Sequence, residues 1–419
     1  MPWQHPKKTD GTWREINSEI DMTFLLAVLT TLTLIYGYFG LRIIRPAKID
    51  LKWKISLWVG LLVFYAATPA AFITRYRMPD SPLAIPLAWF AYVSFGFFTL
   101  TFAALFARDV LLGGLWVTER LADALPHMLW PSDTDKPADP SRRLFLVNSS
   151  NLALLGATGA LTGYGLAEAR RIPAIKHVDV LLEHLPSPFD GFRILQLTDL
   201  HVGLTIRRDY VQAVADRANA QRPDIIAITG DLADGSAGSL RSETAPLADL
   251  KAKFGKYFVT GNHEYYSGVN GWLAEVRRLG YTPLINEHRL IYHRGAYIVL
   301  AGVTDYRAAR IVPGHASNPA SALADTPRDS VKIMLAHQPK SVFRAEAAGT
   351  DLLIAGHTHG GQYFPFNFMI PLDQPYVHGL HTHGRTQIYV SRGAGYWGPP
   401  IRVGAPSEIT VLQLIRKTV

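Results

Sequence analysis

Thr198-Asp199-Leu200-His201, Thr229-Gly230-Asp231-Leu232, Thr260-Gly261-Asn262-His263-Glu264, Ala336-His337-Gln338-Pro339 and Ala355-Gly356-His357-Thr358-His359-Gly360-Gly361-Gln362 follow one another along the chain. Each stands just after a run with strand character: Phe192–Leu197, Asp224–Ile228, Lys256–Val259, Lys332–Leu335 and Asp351–Ala355. Polar residues at strand C-termini converge on one rim of a sheet, where α/β sites are normally built. The glycines before Asp231, Asn262 and His357 permit sharp turns.

The residue types in these motifs point to metal chemistry. Asp199, Asp231 and Asn262 offer oxygens, and His201, His337, His357 and His359 offer nitrogens. Such a mixed set suits Mn, Fe or Zn. The chain has no cysteine, which excludes disulfides, thiolate-held zinc, iron–sulfur clusters and thiol catalysis. Asp199-x-His201 and His357-x-His359 bring alternate side chains within reach of one centre. Asp231 is a carboxylate able to bridge two ions. Two ions about 3.5–4 Å apart clamp the attacking and leaving oxygens of a phosphate ester, activate water and offset phosphate charge.

Around the motifs, short strand runs alternate with helical runs. Further strands are expected at His177–Leu182, Ala296–Ala301, Gln387–Ser391 and Ile409–Leu414. Helices are expected at Arg208–Ala220, Thr244–Phe254, Gly271–Leu279 and Ser341–Ala347. That alternation reads as layered α/β or α+β. No tandem repeat or long low-complexity stretch interrupts it.

The order D-x-H, G-D, G-N-H-E, H, G-H-x-H resembles the signature of calcineurin-like metallophosphoesterases, over about residues 175–415. Five motifs in the correct order make the resemblance specific. Gly360-Gly361-Gln362, Arg392-Gly393-Ala394-Gly395, Pro400-Ile401-Arg402 and Pro406-Ser407-Glu408-Ile409 resemble one subgroup. It holds membrane-associated bacterial phosphoesterases and transmembrane proteins with a C-terminal metallophosphoesterase domain. The resemblance implies a β-sandwich flanked by helices and a centre of two divalent metal ions. Asp199, His201 and His359 would hold the first ion and Asp231 would bridge. Asn262, His337 and His357 would hold the second. His263 would not ligate but act as general acid over the scissile phosphate. Glu264 stands where many members carry Asp, and either acid is expected to orient the His263 imidazole. The implied reaction is hydrolysis of a phosphate ester or pyrophosphate. Relatives in the subgroup are linked to cleaving UDP-2,3-diacylglucosamine in lipid A synthesis.

Ahead of this half lie four apolar runs, at about 23–44, 55–73, 83–106 and 144–167. Each meets or approaches the roughly 18–20 residues needed to span a bilayer. Lys and Arg punctuate them, and Trp53, Trp58, Trp89, Tyr92 and Trp116 lie near their ends, as an interfacial belt requires. The chain therefore divides into a transmembrane anchor, 1–171, and a catalytic domain, 172–419. The spans read as free of buried ionisable residues, the usual mark of transport, so this half reads as an anchor. Loops 42–54 and 108–143 carry five Lys/Arg each. The N-terminal tail carries Lys7, Lys8 and Arg14, and the second loop Arg75 and Arg77. Positive charge favours the inner side, so the first and third loops are expected inside a bacterial cell membrane and the catalytic domain outside it. That side conflicts with a cytoplasmic lipid A substrate and favours a phospholipid or envelope phosphodiester. Ser141-Arg142-Arg143-Leu144-Phe145-Leu146 has the form of a twin-arginine export signal, and Ala167-Glu168-Ala169 that of a cleavage site. An ordinary Arg-flanked membrane helix explains the same residues.

The net charge of +8 among 419 residues does not indicate nucleic acid, because the basic residues flank apolar runs and form no stripe in the globular half. No P-loop, nucleophile elbow or dinucleotide fingerprint occurs. His177, His184, His288, His293 and His315 have no motif around them and read as structural or exposed. His381-Thr382-His383 copies the H-x-H form without the glycine turn and reads as a decoy. Tyr363 to Pro371 reads equally as core or as an exposed loop for lipid, and Tyr265, Tyr266 and Trp397 as cleft residues. The rival function is a non-enzymatic membrane sensor or scaffold, against which the intact His263 argues.

Overall fold

A computed structural model describes residues 12–78, 81–127 and 140–417 of the chain. Lys7, Lys8 and part of the loop 108–143 lie outside the described residues, as do the side chains of Arg14, Arg77 and Arg143. Two compact units divide the chain: Met1–Pro69 with Phe97–Gly159, and Ala70–Gly96 with Ala160–Val419.

Four apolar helices open the chain: α1 (Thr12–Phe39), α2 (Leu51–Arg77), α3 (Ala84–His127) and α4 (Pro140–Arg170). Stretches long and apolar enough to cross a membrane run over Leu26–Ile44, Leu51–Arg75, Ala84–Thr118 and Leu144–Arg170. In the first unit Phe98 packs its ring against Tyr36, Phe39 and Phe64, with centroids 4.5, 4.8 and 5.3 Å away. The Thr101 and Thr158 hydroxyls meet at 2.9 Å. Close packing and such hydrogen bonds are what hold helices together in lipid.

The third helix outruns its expected end at residue 106. The charges at Arg108 and Asp109 do not break it, because partners within the first unit neutralise them. Asp109 accepts from the Tyr38 hydroxyl at 2.5 Å and from Arg42 Nε at 2.7 Å. Arg108 donates to Ser150 Oγ at 3.1 Å and Asn151 Oδ1 at 2.6 Å. A partly buried ion cluster thus lies within the third apolar stretch, Ala84–Thr118, where the sequence placed Arg108 and Asp109 as flanking charges beyond the span. A second correction concerns Ala167-Glu168-Ala169. It lies within α4, and Ala169 is fully buried against Ile206 and Tyr396, so no extended cleavage site is presented there.

The second unit is a sandwich of two six-stranded sheets. The strands are β1 (Ala174–Leu182), β2 (Arg193–Leu197), β3 (Ile225–Thr229), β4 (Lys256–Val259), β5 (Thr282–Pro283), β6 (Glu287–His293), β7 (Ala296–Gly302), β8 (Lys332–Leu335), β9 (Leu352–Ala355), β10 (Gly379–His383), β11 (Thr386–Val390) and β12 (Glu408–Arg416). One sheet has the order β1-β12-β2-β3-β4-β5 and the other β10-β11-β9-β8-β7-β6. Alternation along each strand builds three layers of core. Ile194, Ala227, Val259 and Leu412 of one sheet meet Leu300, Ile333, Leu335 and Ile354 of the other. Leu195, Leu197, Ile226 and Phe258 face outward under α5 (Arg208–Asn219) and the later α8 (Val269–Arg278), whose Val211, Val214, Trp272 and Val276 cover them. Val299, Met334, Leu353 and Ile388 pack under α10 (Val342–Ala347). The remaining helices, α6 (Ala237–Thr244), α7 (Asn262–Tyr266), α9 (Pro319–Ala322) and α11 (Phe366–Met369), are short.

The helix expected over Thr244–Phe254 does not form. The α6 helix ends at Thr244 and a 3-10 turn, Ala245–Asp249, takes over with Pro246 at its start; Pro246 has no N–H with which to continue the α-helical ladder. Strands β5, β6 and β10 were not expected; β6 and β10 are polar sheet edges whose alternation is masked by His, Arg and Glu. Strands β2, β3 and β4 are mutually parallel, as are β7, β8 and β9. Their C-terminal ends deliver all five motifs to one rim.

Candidate metal centre and active site

The backbone at the rim is bent in a way that most residues resist. Asp199, His201, Asp231, His357 and His359 all have positive φ, between 49° and 74°. For side chains other than glycine each such position costs of order 1 kcal/mol or more, and such strain clusters at functional sites. Hydrogen bonds hold the bends. Asp199 accepts the His357 N–H at 3.1 and 2.9 Å and the Thr198 hydroxyl at 2.7 Å. Asp231 Oδ1 accepts the His263 N–H at 2.9 Å. Close approach then dictates two glycines. A Cβ on Gly356 would stand 2.3 Å from Thr198 Oγ1 and 2.4 Å from Asp199 Oδ2, and one on Gly261 would stand 2.2 Å from Asp231 Oδ1.

The side chains of all seven proposed ligands meet. Asp231 Oδ2 lies 3.2 Å from His337 Nε2 and 3.8 Å from His201 Nε2. His337 Nε2 also lies 3.2 Å from Asn262 Oδ1 and 3.0 Å from His357 Nδ1. On the other flank His359 Nε2 is 3.1 Å from His201 Nε2 and 3.6 Å from Asp199 Oδ1. Two groups able to hold a metal ion follow: Asp199 with His201 and His359, and Asp231 with His337 and His357. A third combines His201 and Asp231 with His263.

The donor set fits a cation on physical grounds. His337 Nδ1 is 2.9 Å from the Thr229 carbonyl, which can only accept, so Nδ1 carries the proton. Its Nε2 is left facing a carboxylate, an amide oxygen and a second imidazole. Such acceptors repel one another when buried unless a proton or a metal lies among them. His337 accordingly shows the strain: burial disfavours its charge, but Asp231 overrides this and raises it well above the usual imidazole range. Burial lowers His357 to about 3, helped by His337. Burial also depresses His359, with His201 and Arg402 adding to it. Both are neutral near pH 7 and keep lone pairs for a ligand bond.

His263 lies beside this set. Its Nδ1 meets Asp234 Oδ1 at 2.5 Å, and its Nε2 lies 3.9 Å from Asp231 Oδ2. Burial opposes the charged imidazole, but Asp231 and Asp234 outweigh it and raise the group to about 9. The orienting acid is therefore Asp234 and not Glu264. Glu264 turns inward and accepts the N–H groups of Gly261, Asp231 and Leu232 at 2.6, 3.0 and 2.8 Å. It pins the two loops together, and burial pushes it up to about 7. Asp234 was missed in the sequence, although a second carboxylate three places after Asp231 was its signal. It also accepts from His201 Nδ1 at 3.1 Å and pairs with Arg75 at 3.1 Å. Burial alone would raise Asp234, but Arg75 first, then the two histidines, hold it well below the usual carboxylate range.

Arg402 was also missed as a site residue. Fully buried, it donates to the carbonyls of Gly395, Ala405 and Arg392, and its Nη2 lies 3.2 Å from His359 Nδ1. Burial lowers its guanidinium to about 10. Of the histidines set aside, His315 contacts Tyr265 and His288 the Ala322 carbonyl. His381 and His383 lie on β10 beside Tyr376 and join no metal-competent group among the described residues. The segment after the last ligands divides: Tyr363 is buried core, and from Phe364 onward Phe364, Phe368, Met369 and Leu372 are exposed. Tyr266 and Trp397, each more than half exposed, flank His263 with ring centroids 5.3 and 6.2 Å away.

The calcineurin-like phosphoesterase family profile matches residues 192–361. An uncharacterized metallophosphoesterase of Helicobacter pylori strain J99 is 34% identical over 401 residues, covering 94% of this chain and 99% of the relative. A second from Helicobacter pylori, strain 26695, is 41% identical over 272 residues, 64% of this chain and 71% of the relative. A transmembrane protein with metallophosphoesterase domain from Bos taurus is 37% identical over 330 residues, 76% of this chain and 74% of the relative.

Gly356→Ala should displace the Asp199 carboxylate and lower Mn²⁺ affinity about 10- to 100-fold, the range seen when a ligand's support is lost. Calorimetric titration of the full-length protein reads this directly, and unchanged affinity would contradict the close approach at Gly356.

Proposed function

The chain belongs to the calcineurin-like phosphoesterase family, and on that premise we propose that its site hydrolyses a phosphate ester or pyrophosphate carried by a lipid. Asp199, His201, Asp231, Asn262, His337, His357 and His359 would hold two divalent ions, Mn, Fe or Zn by the mixed N/O donor set. The observation that carries this reading is the crowding of acceptor atoms around Asp231 Oδ2, with His337 Nε2 at 3.2 Å. When bound, the ions supply Lewis acidity, which polarises the phosphoryl group and lowers the pKa of water.

The chain's own residues supply the rest. Asp234 keeps His263 Nδ1 engaged, which leaves Nε2 to face the substrate. The P–O bond to the leaving group breaks and the departing oxygen takes the Nε2 proton. A water oxygen forms the new P–O bond and releases its proton to solvent, and the neutral His263 is reprotonated from solvent for the next turnover. A group held above neutral pH by Asp231 and Asp234 starts protonated, as a general acid must.

Two observations support a lipid-linked substrate. The chain is a membrane protein with four apolar helices. Tyr266 and Trp397 flank His263, and the segment that follows the last ligands exposes Phe364, Phe368, Met369 and Leu372. Each methylene that such apolar side chains cover from water stabilises the bound state by about 0.8 kcal/mol, so an acyl chain would be favoured there. A UDP-2,3-diacylglucosamine-type pyrophosphate fits this chemistry on a cytoplasmic face. The loop charges argue for the outer face of a bacterial cell membrane, and there a phospholipid or envelope phosphodiester fits better. A C-terminal alkaline phosphatase fusion is expected to be active on that account; a fluorescent cytoplasm-only reporter at the same position would reverse it.

The full-length protein in mixed micelles with Mn²⁺ should hydrolyse a lipid phosphodiester. Asp231→Asn should abolish turnover, and His263→Ala should lower kcat about 10²-fold or more. Phe368→Ser should raise KM several-fold more for the lipid than for bis-p-nitrophenyl phosphate. Metal-independent turnover, or full activity in Asp231→Asn, would contradict the proposal; an equal KM change for both substrates would remove the lipid from it.

A further inference from the structure

Arg75 stands near the end of α2, at the close of the apolar stretch Leu51–Arg75. In sequence it is a charge flanking a membrane span. In the structure it belongs, with the rest of Ala70–Gly96, to the same unit as the sandwich. Its Nε donates to the Asp234 carbonyl at 3.0 Å, and its Nη2 meets Asp234 Oδ1 at 3.1 Å. The side chain is only 13% exposed. The guanidinium thus grips the main chain and the carboxylate of one residue together. That fork fixes both the backbone and the side-chain torsion of Asp234, a geometry an ammonium cannot reproduce.

The oxygen it grips is the one the site uses. Asp234 Oδ1 also meets His263 Nδ1 at 2.5 Å and His201 Nδ1 at 3.1 Å. A small polar cavity lined by Arg75, Tyr92, His201, Asp234 and Tyr396 lies beside this junction. A buried carboxylate held by two imidazoles alone is free to turn toward either. With Arg75 on the same oxygen it has one orientation, which sets the direction of the His263 ring.

We propose that Arg75 is a positioning residue for phosphoester cleavage, supplied by the end of a membrane-spanning helix, which fixes Asp234 and through it the proton-donating His263. The inference rests on the phosphoesterase reading given above. It makes residues 70–96 part of the catalytic apparatus. The sandwich from residue 172 onward would hold metal but deliver its proton poorly.

A general acid matters most when the leaving group is a poor one. The test is therefore a series of phosphodiesters running from a p-nitrophenolate to an alkoxide leaving group, with the full-length protein in detergent and Mn²⁺. Arg75→Gln should lower kcat for the alkoxide ester about 10- to 100-fold, part of what a general acid contributes, and for the p-nitrophenyl ester less than about threefold. Mn²⁺ bound per chain should stay at the wild-type value. In a His263→Ala background Arg75→Gln should cost nothing further, the non-additivity expected of residues acting as one unit. If Arg75→Gln does not fold, Arg75→Lys keeps the charge and should show a smaller loss with the same leaving-group bias. Equal losses for both leaving groups, or an undiminished loss in the His263→Ala background, would overturn the inference alone. A wild-type protein with no turnover would sink the phosphoesterase reading and this inference with it.

Discussion

Asp231 Oδ2, Asn262 Oδ1 and His357 Nδ1 all lie 3.0–3.2 Å from His337 Nε2, with Asp231 and His337 buried and Asn262 and His357 partly so. Left without a cation they repel, and burial removes the water that would screen them. Much of the second unit answers to that constraint. The parallel strands bring loops from both sheets to one rim. Five residues accept left-handed backbone there. Glu264 spends its carboxylate on three main-chain N–H groups that hold two of the loops together. The glycines at 261 and 356 yield the space their neighbours' carboxylates occupy.

A division of labour follows among the carboxylates. Asp199 and Asp231 face the centre. Asp234 stands behind it, turned toward the outer nitrogens of His201 and His263. Glu264 stands behind the loops and touches no imidazole. Arg402 lies against His359 and Arg75 against Asp234, so each flank of the centre carries a buried guanidinium. Arg402 and Glu264 thus support the proposed ligands and their loops without touching His263, whereas Asp234 serves both the ligand His201 and the proton-delivering His263.

Much of this was legible in the sequence, because the ligands follow strands directly and their spacing is local. The seven proposed ligands and His263, which the structure brings together, needed only residue type and order, and nine of the twelve strands were visible as short apolar runs. What escaped depends on distance or on competing signals. Arg75 is 159 positions from Asp234 and carries the ordinary mark of a membrane boundary. Asp234 looked like one more loop acid, and Glu264 was credited with its task because it adjoins His263 in the chain. On a helix turn, however, a neighbour points elsewhere. The length of α3 was hidden because Arg108 and Asp109 look like a stop until Arg42, Tyr38 and Asn151 are seen to satisfy them. Pro246 was a readable signal against the helix expected over Thr244–Phe254.

The central claim is that the crowded acceptors around Asp231 exist to hold metal. Anomalous diffraction from the full-length protein crystallised with Mn²⁺ tests it most directly. The account predicts two Mn peaks per chain, about 3.5–4 Å apart, with Asp231 between them, Asp199 and His359 on one side and Asn262 and His357 on the other. A single peak, or peaks away from these residues, would contradict it.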